Sequence, residues 1–171
     1  FVSSVNNVTI QNTDIRNFGR GIKGGFGMIA NNVISNCNTG IFSGSNQRVL
    51  SNIISQCGNM GIGAVFVRNL TIQSNIIVDT SDGIEFGGIE STIIGNTISN
   101  NSRGLVLGAW VAGQWGFSNV IKLNNILNNQ EGITILNSEP QAFQNNSIYH
   151  NNMISNSKQV AFNSALGANI W

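Results

Sequence analysis

The sequence predicts an all-β fold in which short strands wind into a parallel solenoid. A Gly followed by an aliphatic residue recurs about every 21 residues, the length of one coil in solenoid proteins. Between these pairs lie short runs with alternating apolar side chains, separated by Gly, Asn and Ser, which is the pattern of strands and turns. The copies of the repeat predict about seven such coils. Because no segment has a helical stripe, we expect no helix.

Two markers define the repeat. The Gly-aliphatic pair occurs at Gly21, Gly40, Gly61, Gly83, Gly104 and Gly132. An Asn precedes an apolar strand at Asn32, Asn52, Asn75, Asn96, Asn125 and Asn152, and Thr13 takes this place in the first copy. Because Asn accepts the left-handed conformation and its amide can bond its copies above and below, we expect this column to close a corner of every coil.

The composition excludes several classes of protein. Asn and Ile dominate, with 29 and 24 of the 171 residues, while only 9% of the residues are charged against about 25% in ordinary domains. The net charge is +1 and its cations are scattered, so we predict no nucleic-acid partner. No apolar run is long enough to span a bilayer, so no membrane span is predicted.

The last coil resembles a known family. Residues 148–171, IYHNNMISNSKQVAFNSALGANIW, are similar to the terminal repeat of NosD-like proteins. The repeat as a whole resembles the right-handed parallel β-helix superfamily, which includes pectate lyases, polygalacturonases and alginate-modifying enzymes. The resemblance implies a right-handed parallel β-helix that is exported to the periplasm or cell surface, with a polysaccharide as partner. We expect residues 1–171 to form a single domain, a fragment of a larger exported protein.

The motif TSDGIEF at residues 80–86 has two interpretations. It resembles one of the four motifs of polygalacturonases, in which the Asp belongs to the acid-base set. The repeat, however, aligns Asp82, Arg103, Glu131 and Lys158 in one column before the Gly position, which predicts a ladder of exposed ion pairs worth about 0–1 kcal/mol each. The candidates for catalysis are Asp82, Glu85, Arg103 and Glu131, and no complete catalytic motif is present.

Glu85, Trp110 and Trp115 are the candidates for substrate binding. Glu85 follows the Gly position by two residues and is predicted to point outward, in a column with Lys23, Phe42, Gly63, Val106, Thr134 and Ala161. The insertion at residues 108–117, GAWVAGQWGF, carries Trp110 and Trp115, whose flat rings suit the faces of sugars. The alternative is that these rings cover the side of the solenoid.

Cys37 and Cys57 occupy equivalent places in consecutive coils, so either a disulfide or a stack of buried thiols fits. The NosD resemblance implies copper, for which the soft ligands would be Cys37, Cys57, Met60 and His150. Because His150 lies about 20 Å along the stack from the others, we predict no metal and no cofactor.

The predicted function is to bind or help process polysaccharide outside the cell. Two alternatives stay open: a purely structural surface or adhesin rod, and a polysaccharide lyase or glycoside hydrolase. The ends of a solenoid carry unpaired strand edges, so self-association through them is also expected.

Overall fold

The computed structural model describes residues 7–109, 116–137 and 143–162, and every regular element in these ranges is a strand. The first four coils contain β1 (Val8–Gln11), β2 (Asp14–Arg16), β3 (Arg20–Lys23), β4 (Gly27–Ala30), β5 (Val33–Ser35), β6 (Thr39–Phe42), β7 (Gln47–Leu50), β8 (Ile53–Ser55), β9 (Met60–Arg68), β10 (Thr71–Gln73), β11 (Ile76–Val78) and β12 (Asp82–Ile89). The later coils contain β13 (Thr92–Ile94), β14 (Thr97–Ser99), β15 (Arg103–Ala109), β16 (Gly116–Phe117), β17 (Val120–Lys122), β18 (Asn125–Leu127), β19 (Glu131–Asn137), β20 (Phe143–Gln144), β21 (Ser147–Tyr149), β22 (Asn152–Ile154) and β23 (Lys158–Phe162).

The strands form three parallel sheets that run the length of the rod. The first sheet has the order β1-β4-β7-β10-β13-β17-β21, and the second has the order β2-β5-β8-β11-β14-β18-β22. The third has the order β3-β6-β9-β12-β15-β19-β23, and β16 and β20 extend it. Each coil contributes one strand to each sheet in turn, so the predicted parallel β-helix is confirmed. Among the described residues no helix could cross a membrane.

The core is a set of aliphatic stacks, one on the inner face of each sheet. Ile54, Ile77 and Ile98 lie in register on consecutive strands of the second sheet, and each is fully buried. Every such Ile removes its side chain from water, which contributes roughly 1.5–3 kcal/mol. The apolar positions of the repeat therefore stack on one another in successive coils, as the sequence predicts.

The Asn column at the corner between the first and second sheets is a continuous hydrogen-bonded ladder. The backbone N–H and Nδ2 of Asn75 both donate to Oδ1 of Asn96, at 2.9 and 3.0 Å. Asn96 donates in the same way to Oδ1 of Asn124, and Asn124 to Oδ1 of Asn151. Two assignments from the sequence are therefore wrong: Asn124 and Asn151 belong to the ladder, while their neighbours Asn125 and Asn152 are exposed on β18 and β22.

The left-handed backbone also lies one residue earlier than predicted. The residues that precede the ladder members have positive φ, for example 53° at Ser51, 56° at Ser74 and 58° at Leu123. The ladder Asn itself is free of that strain, and its amide points into the rod. Bending and hydrogen bonding are thus divided between two adjacent residues at each corner.

The other two corners carry shorter ladders. Between the second and third sheets, Thr80 donates to Asn101, Asn101 to Asn129 and Asn129 to Asn156. Between the third and first sheets, Asn119 donates to Asn146. The ladders fix the register, because a shift by one residue would leave each buried amide without its partner.

The Gly positions allow the closest approach of the chain to its neighbours. A Cβ on Gly104 would lie 2.6 Å from the carbonyl oxygen of Gly132 and 2.9 Å from Cγ2 of Ile126. Gly83 and Gly61 are equally crowded by the core of the following coil. The Gly column is therefore needed for packing at the entrance to the third sheet.

Candidate functional site

The predicted charge column lies at the start of the third sheet. Asp82 pairs in register with Arg103, Arg103 with Glu131, and Glu131 with Lys158. Asp82, Arg103 and Glu131 each directly precede a Gly of the repeat, where the strand enters the sheet, and Lys158 precedes Gln159, which takes the Gly position in the last coil. The sequence therefore predicts this alignment correctly, and the four side chains stand on successive strands along one edge of the sheet.

The Asp82–Arg103 pair differs from the predicted exposed pair because the carboxylate is buried. Nε of Arg103 lies 2.7 Å from Oδ1 of Asp82, and Nη2 lies 2.6 Å from Oδ2. The side chain of Asp82 is 3% exposed and that of Arg103 is 25% exposed. A bidentate contact of this kind is among the stronger hydrogen-bonded ion pairs, and it engages both oxygens of the carboxylate.

Glu131 has two polar partners on the outer face of the sheet. Oγ1 of Thr134 donates to Oε2 of Glu131 at 2.8 Å, and Nζ of Lys158 lies 3.4 Å from Oε1. Lys158 is 68% exposed, whereas Glu131 is 26% exposed. The carboxylate is thus held in place by the hydroxyl, while the ammonium group remains largely in water.

A polar groove runs beside this column, with a volume of about 720 Å³. Its lining consists of Ser81, Ser102, Arg103, Gln130, Glu131, Ser157 and Lys158. Ser81, Ser102, Gln130 and Ser157 each directly precede a member of the charge column, so every coil from the fourth onward contributes one hydroxyl or amide. We refer to this feature as the polar groove. These four residues are not among the candidates predicted from the sequence, although their equal distance from the Gly column could have identified them.

The outward column that contains Glu85 is aligned as predicted but is not open along its length. Glu85 pairs in register with Gly63 on one side and Val106 on the other, and it is half-buried. Val106 and Thr134 on the same face are buried, the latter against the carboxylate of Glu131. The expected exposed sheet face is therefore interrupted at its centre. Trp110 and Trp115 lie outside the described residues.

This geometry supports binding better than acid-base chemistry. Both oxygens of the Asp82 carboxylate accept a hydrogen bond from the Arg103 guanidinium, and the side chain is 3% exposed, so a water or a sugar has little access to it. Glu131 is the most accessible of the catalytic candidates within the polar groove, and it is engaged by Thr134 and Lys158. Hydroxyls, an amide and charged groups of both signs are well suited to hold a polyhydroxylated ligand.

Cys37 and Cys57 are two separate buried thiols in the structure. Their sulfur atoms donate weakly to the carbonyl oxygens of Ser35 and Ser55, at 3.4 and 3.5 Å. Burial raises the pKa of the Cys57 thiol to about 11, so it is a neutral side chain at ordinary pH. Of the two arrangements that the sequence left open, the structure has the stack of thiols.

A model of the NosD family, described as periplasmic copper-binding protein (NosD), matches residues 1–171. The chain belongs to the NosD family. No curated protein sequence matches it.

Two solved structures share the fold of this NosD-family chain. It is similar to the A-module of the mannuronan C-5 epimerase AlgE4 of Azotobacter vinelandii, with a TM-score of 0.77 and 13% identity, over 96% of this chain and 58% of that one. The A-module of AlgE6 from the same organism gives a TM-score of 0.72 and 15% identity, over 96% and 57%. The chain thus spans less than two thirds of either module, and at this identity the likeness shows the fold alone.

The residues of this NosD-family chain do not fit a copper site. The sulfur of Cys57 points into the rod beside Gly40, whereas Met60 covers Gly63 on the outer face of the sheet. His150 is exposed at a corner four coils away, with φ of 53°, as expected for a turn residue. The described residues hold no group of three His, Cys, Asp or Glu side chains that could share an ion. The candidate soft ligands thus lie on opposite faces of the sheet and in distant coils, so they cannot bind one copper ion together.

Proposed function

We propose that this chain is an exported β-helix that binds polysaccharide in the polar groove. The observation that carries the proposal is the regular supply of one hydrogen-bonding group per coil, by Ser81, Ser102, Gln130 and Ser157. Successive coils are about 4.8 Å apart, so these groups form a row of about 14 Å. A polymer with repeated hydroxyl groups can bond such a row along its length.

The charges of the polar groove support a ligand that carries both donors and acceptors. The Arg103 guanidinium keeps part of its surface in water, and Lys158 is more exposed still. Glu131 lies between them in register and accepts hydrogen bonds. Hydroxyl groups can pair with either sign of charge, whereas a hydrocarbon or a nucleic acid would leave part of this surface unpartnered.

The relatives support the same proposal at a coarser level. The family is described as periplasmic, which agrees with an exported protein in the periplasm or at the cell surface. The two similar structures are modules of mannuronan C-5 epimerases, enzymes that act on a polysaccharide. A β-helix of this architecture is thus suited to holding a glycan chain against one side of the rod.

The experiment is a binding screen with matched variants. The protein is run by affinity electrophoresis through gels that contain mannuronan, pectin or a soluble cellulose derivative, and each mixture is assayed for new reducing and unsaturated ends. The test variant is the double substitution Ser102→Leu with Ser157→Leu, which removes two exposed hydroxyls from the polar groove. The control is Ser99→Leu on the second sheet, whose register partners Val78 and Leu127 are already apolar.

We expect at least one glycan to retard the unaltered protein and the control equally. The double variant should bind about tenfold or more weakly, since two hydrogen bonds are lost. Retention without new chain ends agrees with a binding module, and new ends would assign the chain to the lyases or hydrolases. If no glycan retards the unaltered protein, the proposal fails and the structural rod is the better account.

A further inference from the structure

Phe66 is an exposed aromatic residue in an unfavourable backbone conformation. It lies within β9, has φ of 56°, and is 62% exposed. The left-handed region is a real outlier for a bulky side chain, and most other residues of this chain that adopt it are Asn or Ser. Because so much of the ring is in water, burial within the chain does not compensate for this conformation.

The strain coincides with a bulge in the third sheet. Val65 pairs with Gly87 and Val67 pairs with Gly88, so Phe66 is an extra residue that has no partner in the next coil. A bulge of this kind turns a side chain away from the regular face of a sheet, and bulges are common beside binding sites. Phe66 is therefore presented to solvent by the backbone itself.

The bulge lies where later coils carry extra residues. Ile89, just after the bulge in the fourth coil, pairs with Phe117 of β16, and Phe117 pairs with Gln144 of β20. Residues 110–115 and 138–142 precede these two short strands in the fifth and sixth coils. Phe66 thus marks, in the third coil, the place at which the fold accepts insertions.

Polar and apolar side chains together form a depression beside Phe66. A depression of about 280 Å³ is lined by Ser45, Phe66, Val67, Arg68 and Ile89, and we call it the corner depression. Nη1 of Arg68 lies 3.2 Å from Oε2 of Glu90, and both side chains are about half exposed. The hydroxyl oxygen of Ser45 accepts the N–H of Arg68 and keeps its own proton available to donate.

We propose that the corner depression binds one pyranose ring, with the ring stacked on Phe66 and its hydroxyl groups bonded by Arg68 and Ser45. A pyranose has an apolar face of C–H groups and a polar rim, which matches a single aromatic ring bordered by an ion pair and a hydroxyl. The apolar area is only one ring wide, too small for the buried core of a protein interface. The choice of a sugar rests on the proposed function, but this subsite is separate from the polar groove.

The test compares Phe66→Asn with Phe66→Tyr. Asn suits a positive φ and removes the ring, whereas Tyr keeps an aromatic face. Binding of mannuronan oligosaccharides and of cellulose-derived oligosaccharides is measured by calorimetry, and saturation-transfer NMR reports whether sugar C–H protons contact the protein. We expect Phe66→Asn to bind about tenfold more weakly, with loss of the C–H signal, and Phe66→Tyr to bind normally. The melting temperature of Phe66→Asn should equal or exceed that of the unaltered protein.

The outcomes separate this subsite from the proposed function. If Phe66→Asn binds as well as the unaltered protein while the polar groove variant does not, the corner subsite is excluded and the proposed function stands. If Phe66→Asn melts at a lower temperature, the ring serves the fold and this inference is wrong. A loss of binding in Phe66→Asn alone supports the subsite and overturns the assignment to the polar groove. If neither sugar binds the unaltered protein, both proposals fail.

Discussion

The guanidinium of Arg103, in the fifth coil, donates two hydrogen bonds of 2.7 and 2.6 Å to the buried carboxylate of Asp82 in the fourth coil. The two residues are 21 positions apart in sequence and adjacent in register. A motif that resembles an enzyme's acid is thus a structural contact between the fourth and fifth coils. The geometry of this pair and of the ladders predicts how substitutions there change the stability of the protein.

Arg103→Leu should destabilise the protein strongly, because it leaves the Asp82 carboxylate buried beside an apolar side chain. We expect a loss of about 3–5 kcal/mol in the free energy of unfolding, measured in urea. Lys158→Leu is the matched control, since its ion pair with Glu131 is exposed and worth less than about 1 kcal/mol. Adding Asp82→Asn to Arg103→Leu should recover part of the loss. Equal effects of Arg103→Leu and Lys158→Leu would show that burial of Asp82 does not matter.

Asn124→Ala and Asn125→Ala should differ sharply although the residues are neighbours. Asn124 accepts two hydrogen bonds from Asn96 and donates to the carbonyl oxygen of Ile93, all in the interior. Removing its amide leaves several buried groups unpaired, and we expect a loss of about 3 kcal/mol or more. Asn125 is exposed, so its replacement should change stability by less than about 0.5 kcal/mol. Chemical denaturation of both variants provides the measurement, and the reverse order would refute the register.

Gly104→Ala should destabilise the rod without any change of charge or polarity. The added methyl would meet the Gly132 carbonyl oxygen and Ile126, so we expect a cost of about 1–3 kcal/mol. Gly58→Ala is the control, because its nearest neighbour, Oδ1 of Asn38, lies at an ordinary 3.6 Å. That substitution should be neutral or stabilise by up to about 1 kcal/mol. Thermal melts of both variants would test the difference, and a stable Gly104→Ala would contradict the close approach.

Stability should fall at alkaline pH through Cys57. Its pKa is raised from 9.0 to about 11 in the folded state by burial, so the unfolded chain releases the proton first. Between pH 9 and 11 the unfolded state is favoured progressively, by up to about 1.4 kcal/mol per pH unit, and below pH 9 the effect is absent. Cys57→Ser keeps a donor for the Ser55 carbonyl oxygen but does not titrate in this range. In a reducing buffer, the unaltered protein should lose more stability across this window than Cys57→Ser, and parallel pH profiles would disprove the assignment.

The repeat made most of the fold predictable, because a period expressed in Gly and Ile leaves few ways to stack the coils. The register of Asp82 with Arg103 followed from the same alignment. The ladder assignment failed at Asn124 and Asn151 since each is followed by a second Asn, and a pattern of letters does not distinguish the inward member of a pair. The pairing of Ile126 with Ile98 shows that Asn124, and not Asn125, is the inward member.

The candidate site was predicted less well, because burial is a property of several coils together. Nothing local to TSDGIEF indicates that Asp82 is buried, since that depends on the position of the Arg103 side chain. Ser102 and Ser157 resemble ordinary turn residues until the coils are stacked. In the sequence, Phe66 looks like an ordinary apolar strand residue. Its exposure follows from a bulge that the sequence pattern does not predict.

The amide ladders restrict where the chain can change its length. The step from the first sheet to the second is the same in successive coils, as from Thr92 to Thr97 and from Val120 to Asn125. The ladder spacing is nevertheless 21 residues between the fourth and fifth coils and 28 residues between the fifth and sixth, and the added residues lie between β15 and β16. The segment between β15 and β16 can therefore change in length or sequence without disturbing the ladders. Segments grafted there could alter what the rod recognises while every buried amide kept its partner.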